Sequence, residues 1–276
     1  MAKSKPGYIR EGQELIEAIK KLACGHSTWQ VFQDFLELSA VAISNSVDWN
    51  NSDEREKRYL DIINNYKPAE QKMLADMLGI LIGEMQKASL MGKPTDILGQ
   101  VFHGLELHNK YHGQFFTPFH VCEFMGQVVL DGSETAEIEK RGYISVCEPC
   151  VGSGGMVIGL AAAMATKGIN YQQCMCVTAC DIDIKCVHMA YLQLSLYGIP
   201  AVIIHGNSLS MEEWSRWYTP AYMVGMWPIR ERASIADVAN AVNEKTASSE
   251  ITRTDEIAET KDLVLELTES GQYRLF

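Results

Sequence analysis

Apolar positions in the first third of the chain recur at helical spacing. In "STWQVFQDFLELSAVAI", Trp29, Phe32, Leu36 and Ala40 fall along one side of a helix, and Ser27 or Thr28 stands where an N-cap belongs. In "KPAEQKMLADMLGILIGEMQKA", Pro68 occupies a favoured first-turn position. Leu74, Met77, Leu78, Leu81, Ile82 and Met85 then trace an apolar stripe, read as core or helix–helix packing. The pattern predicts helices over residues 13–92. "TDILGQVFHGLELHN" reads as a further helix capped by Thr95, and Thr117–Pro118 as N-cap and first position of the next.

Further on, strand-like and helix-like runs alternate. "YISVCEP", "CMCVTACDID" and "PAVIIHGNS" read as strands. "GGMVIGLAAAMATKG" and "IKCVHMAYLQLSLYG" read as the helices between them, closed by Gly168 and Gly198. Val187, Ala190, Leu194 and Tyr197 share one face of the second helix. A βαβαβ rhythm calls for parallel strands joined by crossover helices. The pattern divides the chain into a helical domain (1–94), an α/β domain (95–228) and a polar, partly helical tail (229–276).

Composition adds little to this and charge adds more. Hydrophobic residues make up 47% and charged residues 21%, ordinary for a globular protein. No apolar run approaches the roughly 18–20 residues of a membrane span, and the first residues lack a secretory signal, so the expected location is cytoplasmic and the eight cysteines are expected as thiols. The net charge is −11, and residues 101–228 carry six basic against eleven acidic side chains. Such a balance argues against tight DNA binding without help.

The candidate chemistry gathers at the predicted strand ends. "CEPCVGSGG" follows the first strand and opens a helix, and glycines there let backbone approach a ligand closely. It lacks the Lys-Ser/Thr of a phosphate-cradling loop and is not a GxGxxG. The second strand ends at Asp181, where a carboxylate can accept from both ribose hydroxyls, with Asp183 as the alternative acid. The third ends at Asn207, whose amide could read a purine amino edge. Glu148, Asp181 and Asn207 thus point to one nucleoside site. Cys147 and Cys150 have zinc-like spacing, but Cys174 and Cys176 lie within a strand and lack a knuckle turn. They read as buried free thiols, with no metal site expected. His103, His108, His112 and His205 show no ligand spacing and read as structural or solvated.

"GQFFTPFHVCEFMGQVV", "CEPCVGSGGMVIG" and "ACDIDIKCVHMAYLQLSLYGIPAVIIHGNSL" resemble, in order, segments of adenine-N6 DNA methyltransferases of the type I restriction-modification subunit kind. The resemblance spans about residues 95–210, and the N-terminal helical region is similar to the small helical domain of those subunits. It implies a Rossmann-like S-adenosylmethionine-dependent methyltransferase fold, S-adenosyl-L-methionine as cofactor, and methyl transfer to the N6 amine of adenine in DNA. Carried onto this sequence, the cofactor-binding residues are Phe116, Thr117, Pro118, Glu148, Pro149, Gly152, Gly154, Asp181, Ile182, Asp183, Asn207, Ser208 and Leu209. Glu148 would attract the methionine ammonium, the helix start at Thr117–Pro118 would hold the carboxylate, and Ile182 would pack on adenine.

One part of the pattern is missing. These enzymes carry an Asn/Asp-Pro-Pro-aromatic tetrapeptide after a fourth strand, which activates the amine and stacks a flipped base. The corresponding stretch, "SMEEWSRWYTPAYMVGMWPIRER", holds neither the tetrapeptide nor an apolar strand, so Tyr218, Thr219 and Pro220 stand as substitute catalytic candidates. The expected partners are DNA, a second protein supplying specificity, and a restriction-modification complex, with homo-oligomerisation left open and no membrane. Two rival readings stay open beside the enzyme: a catalytically idle regulator or anti-restriction protein, and a methyltransferase for a non-DNA substrate.

Overall fold

The computed structural model describes residues 11–107 and 116–232. Helices α1 (Gln13–Leu22), α2 (Thr28–Ser44), α3 (Ser52–Ile63) and α4 (Pro68–Leu90) come first, then α5 (Ile97–Gly104), α6 (Phe119–Val129) and α7 (Ser133–Arg141). The α/β part follows as β1 (Ile144–Glu148), α8 (Gly155–Thr166), a short α9 (Tyr171–Cys174), β2 (Met175–Asp181), α10 (Ile184–Leu196) and β3 (Ala201–Asn207). It closes with β4 (Glu212–Tyr218) and α11 (Pro220–Val224). No helix among the described residues is long and apolar enough to cross a membrane. Most of the tail, and His108 and His112, lie outside the described residues, while residues 227–232 are helical.

The strands form one sheet of order β1-β2-β3-β4. β1, β2 and β3 are parallel, with Glu148 opposite Ala179 and Asp181 opposite His205. Alternation along the strands separates two apolar layers. Val146, Val177, Ala179, Ala201 and Ile203 face the large core shared with α8, α10 and the N-terminal helices. Cys176, Val202 and Ile204 face a smaller cluster with Tyr143, Tyr222 and Trp227. The helical region shares its core with the sheet. Arg55 of α3 is buried, pairs with Asp48 at 2.7 Å, donates to the Arg216 carbonyl of β4 at 2.9 Å, and lies 4.3 Å from the Trp217 ring centroid.

Sequence expectations need correction at several points. The cap of α5 is Asp96, whose Oδ1 accepts from Gly99 N at 2.8 Å, rather than Thr95. α6 starts at Phe119 with Pro118 as its N-cap residue, one position later than expected. α7 was not anticipated. Residues 212–218 do form a strand, but it runs antiparallel to β3, with Asn207 opposite Glu212 and Val202 opposite Tyr218. Its polar sequence suits this place: Glu212, Glu213 and Trp214 are exposed, and only Trp217 is buried. The sheet therefore adds no further parallel strand among the described residues.

The cysteines also differ from expectation. Cys150 is exposed and Cys147 and Cys174 are half-buried, whereas Cys176 is buried. Cys176 accounts for its burial by packing beneath Trp227, with its thiol 3.5 Å from Glu231 Oε1. The turn that follows β1 carries Cys150 out to solvent.

α6 and α8 cross backbone to backbone. A Cβ at Gly159 would fall 2.5 Å from the Cys122 carbonyl group, and one at Gly126 would fall 2.6 Å from the Gly159 oxygen. Neither neighbour is a side-chain tip that can swing aside. Gly159→Ala is expected to cost about 1–3 kcal/mol, as overpacking of a tight core does. Urea unfolding should show the lowered midpoint with an unchanged slope, and a wild-type midpoint would contradict the crossing described here.

Candidate functional site

Parallel pairing brings the ends of β1, β2 and β3 to one edge of the sheet, with the glycine turn of residues 149–154 above it. Val151 N donates to the Cys180 carbonyl at 2.9 Å, so the turn continues across the end of β2. Gly152 and Gly154 adopt φ of +55° and +92°, left-handed conformations that favour glycine. At Gly154 a Cβ would stand in ordinary contact, 3.5 Å from the Ala190 Cα, so conformation rather than space calls for glycine there.

Two acids converge below the turn. Glu148 is 8% exposed, and its Oε1 accepts from Cys150 N at 3.1 Å. Asp181 Oδ2 accepts from Gly152 N at 2.8 Å, and its Oδ1 accepts from Asp183 N at 2.9 Å. Burial raises the pKa of both carboxyls above the ordinary range. Asp181 raises that of Glu148 further, and the backbone donors partly offset the rise. Among the described residues no lysine, arginine or histidine forms an ion pair with either acid. Two carboxylates, one buried and one half-buried, therefore share one edge with backbone N–H groups as their hydrogen-bond donors. That arrangement can take a cationic group and hydroxyl donors.

Other predicted residues fall into place unevenly. The Phe116 ring lies 3.1 Å from where a Gly152 Cβ would stand, so the "FTP" segment reaches the glycine turn. Phe102 holds that ring at a centroid distance of 4.8 Å. Thr117 and Pro118 are exposed at the start of α6, and the Thr117 carbonyl accepts from Cys122 Sγ at 3.7 Å. Ile182 is 61% exposed and Leu209 95% exposed, apolar side chains turned to solvent at the same edge. Pro149 and Ser208 are half-buried. Asp183 caps α10 through Lys185 N at 3.0 Å and pairs with Lys185 Nζ at 2.8 Å, which leaves Asp181 the better placed of the two acids.

Asn207 needs a corrected role. Its Oδ1 accepts from Leu209 N at 3.0 Å and Ser210 N at 3.3 Å, forming the turn into β4. With that oxygen engaged, the side chain can offer a donor to a ring nitrogen but not an acceptor to an exocyclic amine.

The substitute catalytic residues are not brought to this edge. Tyr218 pairs with Val202 near the start of β3, the opposite end of the sheet from Asn207. Thr219 is fully buried there. Its hydroxyl accepts from Ala201 N at 2.9 Å, donates to the Ile199 carbonyl at 2.8 Å and caps α11, whose first residue is Pro220. Tyr218 stacks on Tyr222 at 5.8 Å. These contacts give the three residues a structural task.

Residues that sequence reasoning missed stand close by. His205 lies opposite Asp181, has its pKa lowered by burial, and meets the half-exposed Trp214 edge-on at a centroid distance of 4.8 Å. Asp96, Ser153 and Gln193 form a buried polar cluster under the glycine turn. A glutamine beside Ala190 and Leu194 in an otherwise apolar helix face was the legible signal for that cluster. No group of three or more His, Cys, Asp or Glu side chains among the described residues is arranged to hold a metal ion.

Comparison with known proteins bears on this geometry. A comparison with curated proteins gave no match. Among solved structures, the chain is similar to the type I restriction-modification system methyltransferase subunit from Streptococcus thermophilus, at 20% identity and a TM-score of 0.37. That alignment covers 73% of this chain and 40% of the other, so the chain spans less than half of that protein's length. The model of the N-6 DNA methylase family matches residues 93–228, a segment that starts just before α5 and ends after α11. Over residues 93–228 this chain is similar to the N-6 DNA methylase family.

Proposed function

We propose that this chain binds S-adenosyl-L-methionine at the edge formed by Glu148, Asp181 and the glycine turn, on a Rossmann-like methyltransferase fold, and serves methylation of adenine N6 in DNA. The observation that carries the reading is the pair of carboxylates at adjacent strand ends, Glu148 buried and Asp181 half-buried, with no ion-pairing cation among the described residues. The residues present fit the cofactor's chemistry. Glu148 would hold the ammonium, and Asp181, already oriented by Gly152 N and Asp183 N, would accept from the ribose hydroxyls. Ile182 and Leu209 would cover adenine, and the start of α6 would face the carboxylate. When bound, the cofactor supplies an electrophilic methyl group. The protein's part is to hold the donor in line with the incoming amine and keep water out.

The amine-activating group is a separate matter. With Thr219 engaged at the far end of the sheet, we propose that another polypeptide segment or a partner protein supplies it, together with DNA specificity. The acidic balance of the α/β region supports this, because an enzyme gripping DNA alone needs basic side chains near its crevice. A restriction-modification assembly in the cytoplasm is the proposed setting. The idle-regulator reading shares the cofactor site and differs only in the absence of transfer.

Two expected outcomes follow from this site. Titration with S-adenosylmethionine should raise the melting temperature, with about 2.7 kcal/mol of added stability when the ligand stands at a hundred times its Kd. Asp181→Ala should remove the response. DNA incubated with the protein, cofactor and cell extract should gain N6-methyladenine, read by nucleoside mass spectrometry. Cofactor binding without transfer under any condition would favour the regulator, and no binding would overturn the reading.

The second outcome concerns the cost of the site. Because Glu148 and Asp181 have raised folded-state pKa values, the folded protein holds protons that the unfolded chain has lost. Stability must then fall as pH rises from the ordinary carboxylate range through those raised values. Glu148→Gln keeps an oxygen for Cys150 N and removes the charge. It is expected to stabilise the ligand-free protein at neutral pH by on the order of 1 kcal/mol, to flatten the pH profile, and to abolish cofactor binding. A destabilised variant that still binds would contradict this.

A further inference from the structure

The glycine turn is gripped by a polar cluster that Glu148 and Asp181 take no part in. Asp96 is 3% exposed, Ser153 2% and Gln193 fully buried. Ser153 Oγ donates to Asp96 Oδ2 at 2.6 Å. Asp96 Oδ1 accepts from Gly99 N and from Gln193 Nε2, each at 2.8 Å. Gln193 Nε2 also donates to the Ser153 carbonyl at 2.7 Å, while its Oε1 accepts from Ile97 N at 2.8 Å and Leu98 N at 3.1 Å. Both polar ends of one glutamine are thus used, one on the turn and the other on the first turn of α5.

A helix cap alone would not require this arrangement. Asparagine caps a helix as well as aspartate does. Only a carboxylate offers acceptors to Gly99 N, Gln193 Nε2 and the Ser153 hydroxyl at once, with no hydrogen of its own to place. Its negative charge also lies at the favourable end of α5. Among the described residues Asp96 forms no ion pair, so those donors are what hold the charge. The neighbouring Gly155 leaves room for it: a Cβ there would stand 3.1 Å from Asp96 Oδ2.

We infer that Asp96 is a positioning residue of the cofactor site: acting through Ser153, and with Gln193, it fixes the glycine turn in the shape that presents its backbone to a ligand. Ser153 sits between the two left-handed glycines, so holding it sets both Gly152 and Gly154. Gly152 N in turn orients Asp181. The inference rests on the proposed S-adenosylmethionine reading for its functional meaning, and its geometry is testable without any ligand.

The test combines amide hydrogen exchange of the ligand-free chain with calorimetric titration of S-adenosylmethionine, on wild type, Ser153→Ala, Asp96→Asn and the double variant. Leu74→Ala, at a buried position of α4, serves as a control for general destabilisation. Either single change should speed exchange at Gly152 and Gly154 about tenfold beyond the control, the scale of one lost buried hydrogen bond. The double variant should fall short of the sum of the singles, because both changes remove the same Ser153–Asp96 hydrogen bond. Affinity should weaken about tenfold in the same variants and stay unchanged in Leu74→Ala. Exchange no faster than in the control, or additive effects in the double variant, would overturn the inference. Faster exchange in a protein whose wild type binds no S-adenosylmethionine would uphold the clamp and overturn the cofactor reading instead.

Discussion

Two carboxylates forced together at the ends of adjacent parallel strands are the constraint around which this structure is organised. Burying a charge costs free energy unless something pairs with it. Glu148 and Asp181 are held in place by backbone N–H groups, which lessen that cost without removing it. A site that stays electrostatically unfinished in the free protein is one that a cation-bearing, hydroxyl-bearing ligand can complete. The positions are imposed by β pairing: β1 ends opposite Ala179, and β2 runs two residues further to Asp181.

The rest of the architecture serves to keep that edge in shape. α8 leaves the glycine turn and is pressed against α6 by two glycines, so the turn has a fixed point of departure. α10 leaves Asp183 and carries Gln193 back under the same turn. α5 brings Asp96 from one side, and through Phe102 it steadies Phe116 on the other. The helical region therefore does more than add core. Away from that edge, the buried Arg55 pair holds the middle of β4 and the Thr219 cap holds its far end.

Much of this was legible in the sequence, for physical reasons. The three parallel strands and their crossover helices follow from apolar runs broken by glycine, and their ends gave Glu148, Asp181 and Asn207 directly. Patterning could not give β4 its direction, because a polar edge strand has no two-sided apolar run to betray it. Nor could it separate the two uses of Asn207, since a turn-forming amide and a ligand-reading amide look alike until neighbouring N–H groups are located. Of the cluster of Asp96, Ser153 and Gln193, only the glutamine on an apolar helix face left a trace in the sequence: its members lie 40 and 57 residues or more apart and meet only in three dimensions.

The most direct test of the central claim is a crystal structure of the chain with S-adenosylhomocysteine, which keeps the ammonium, the carboxylate and the ribose. The account predicts the ammonium within hydrogen-bonding distance of Glu148, both ribose hydroxyls on Asp181, and a glycine turn unmoved from its ligand-free shape. A ligand bound elsewhere, or bound here with the carboxylate end against Glu148, would contradict it.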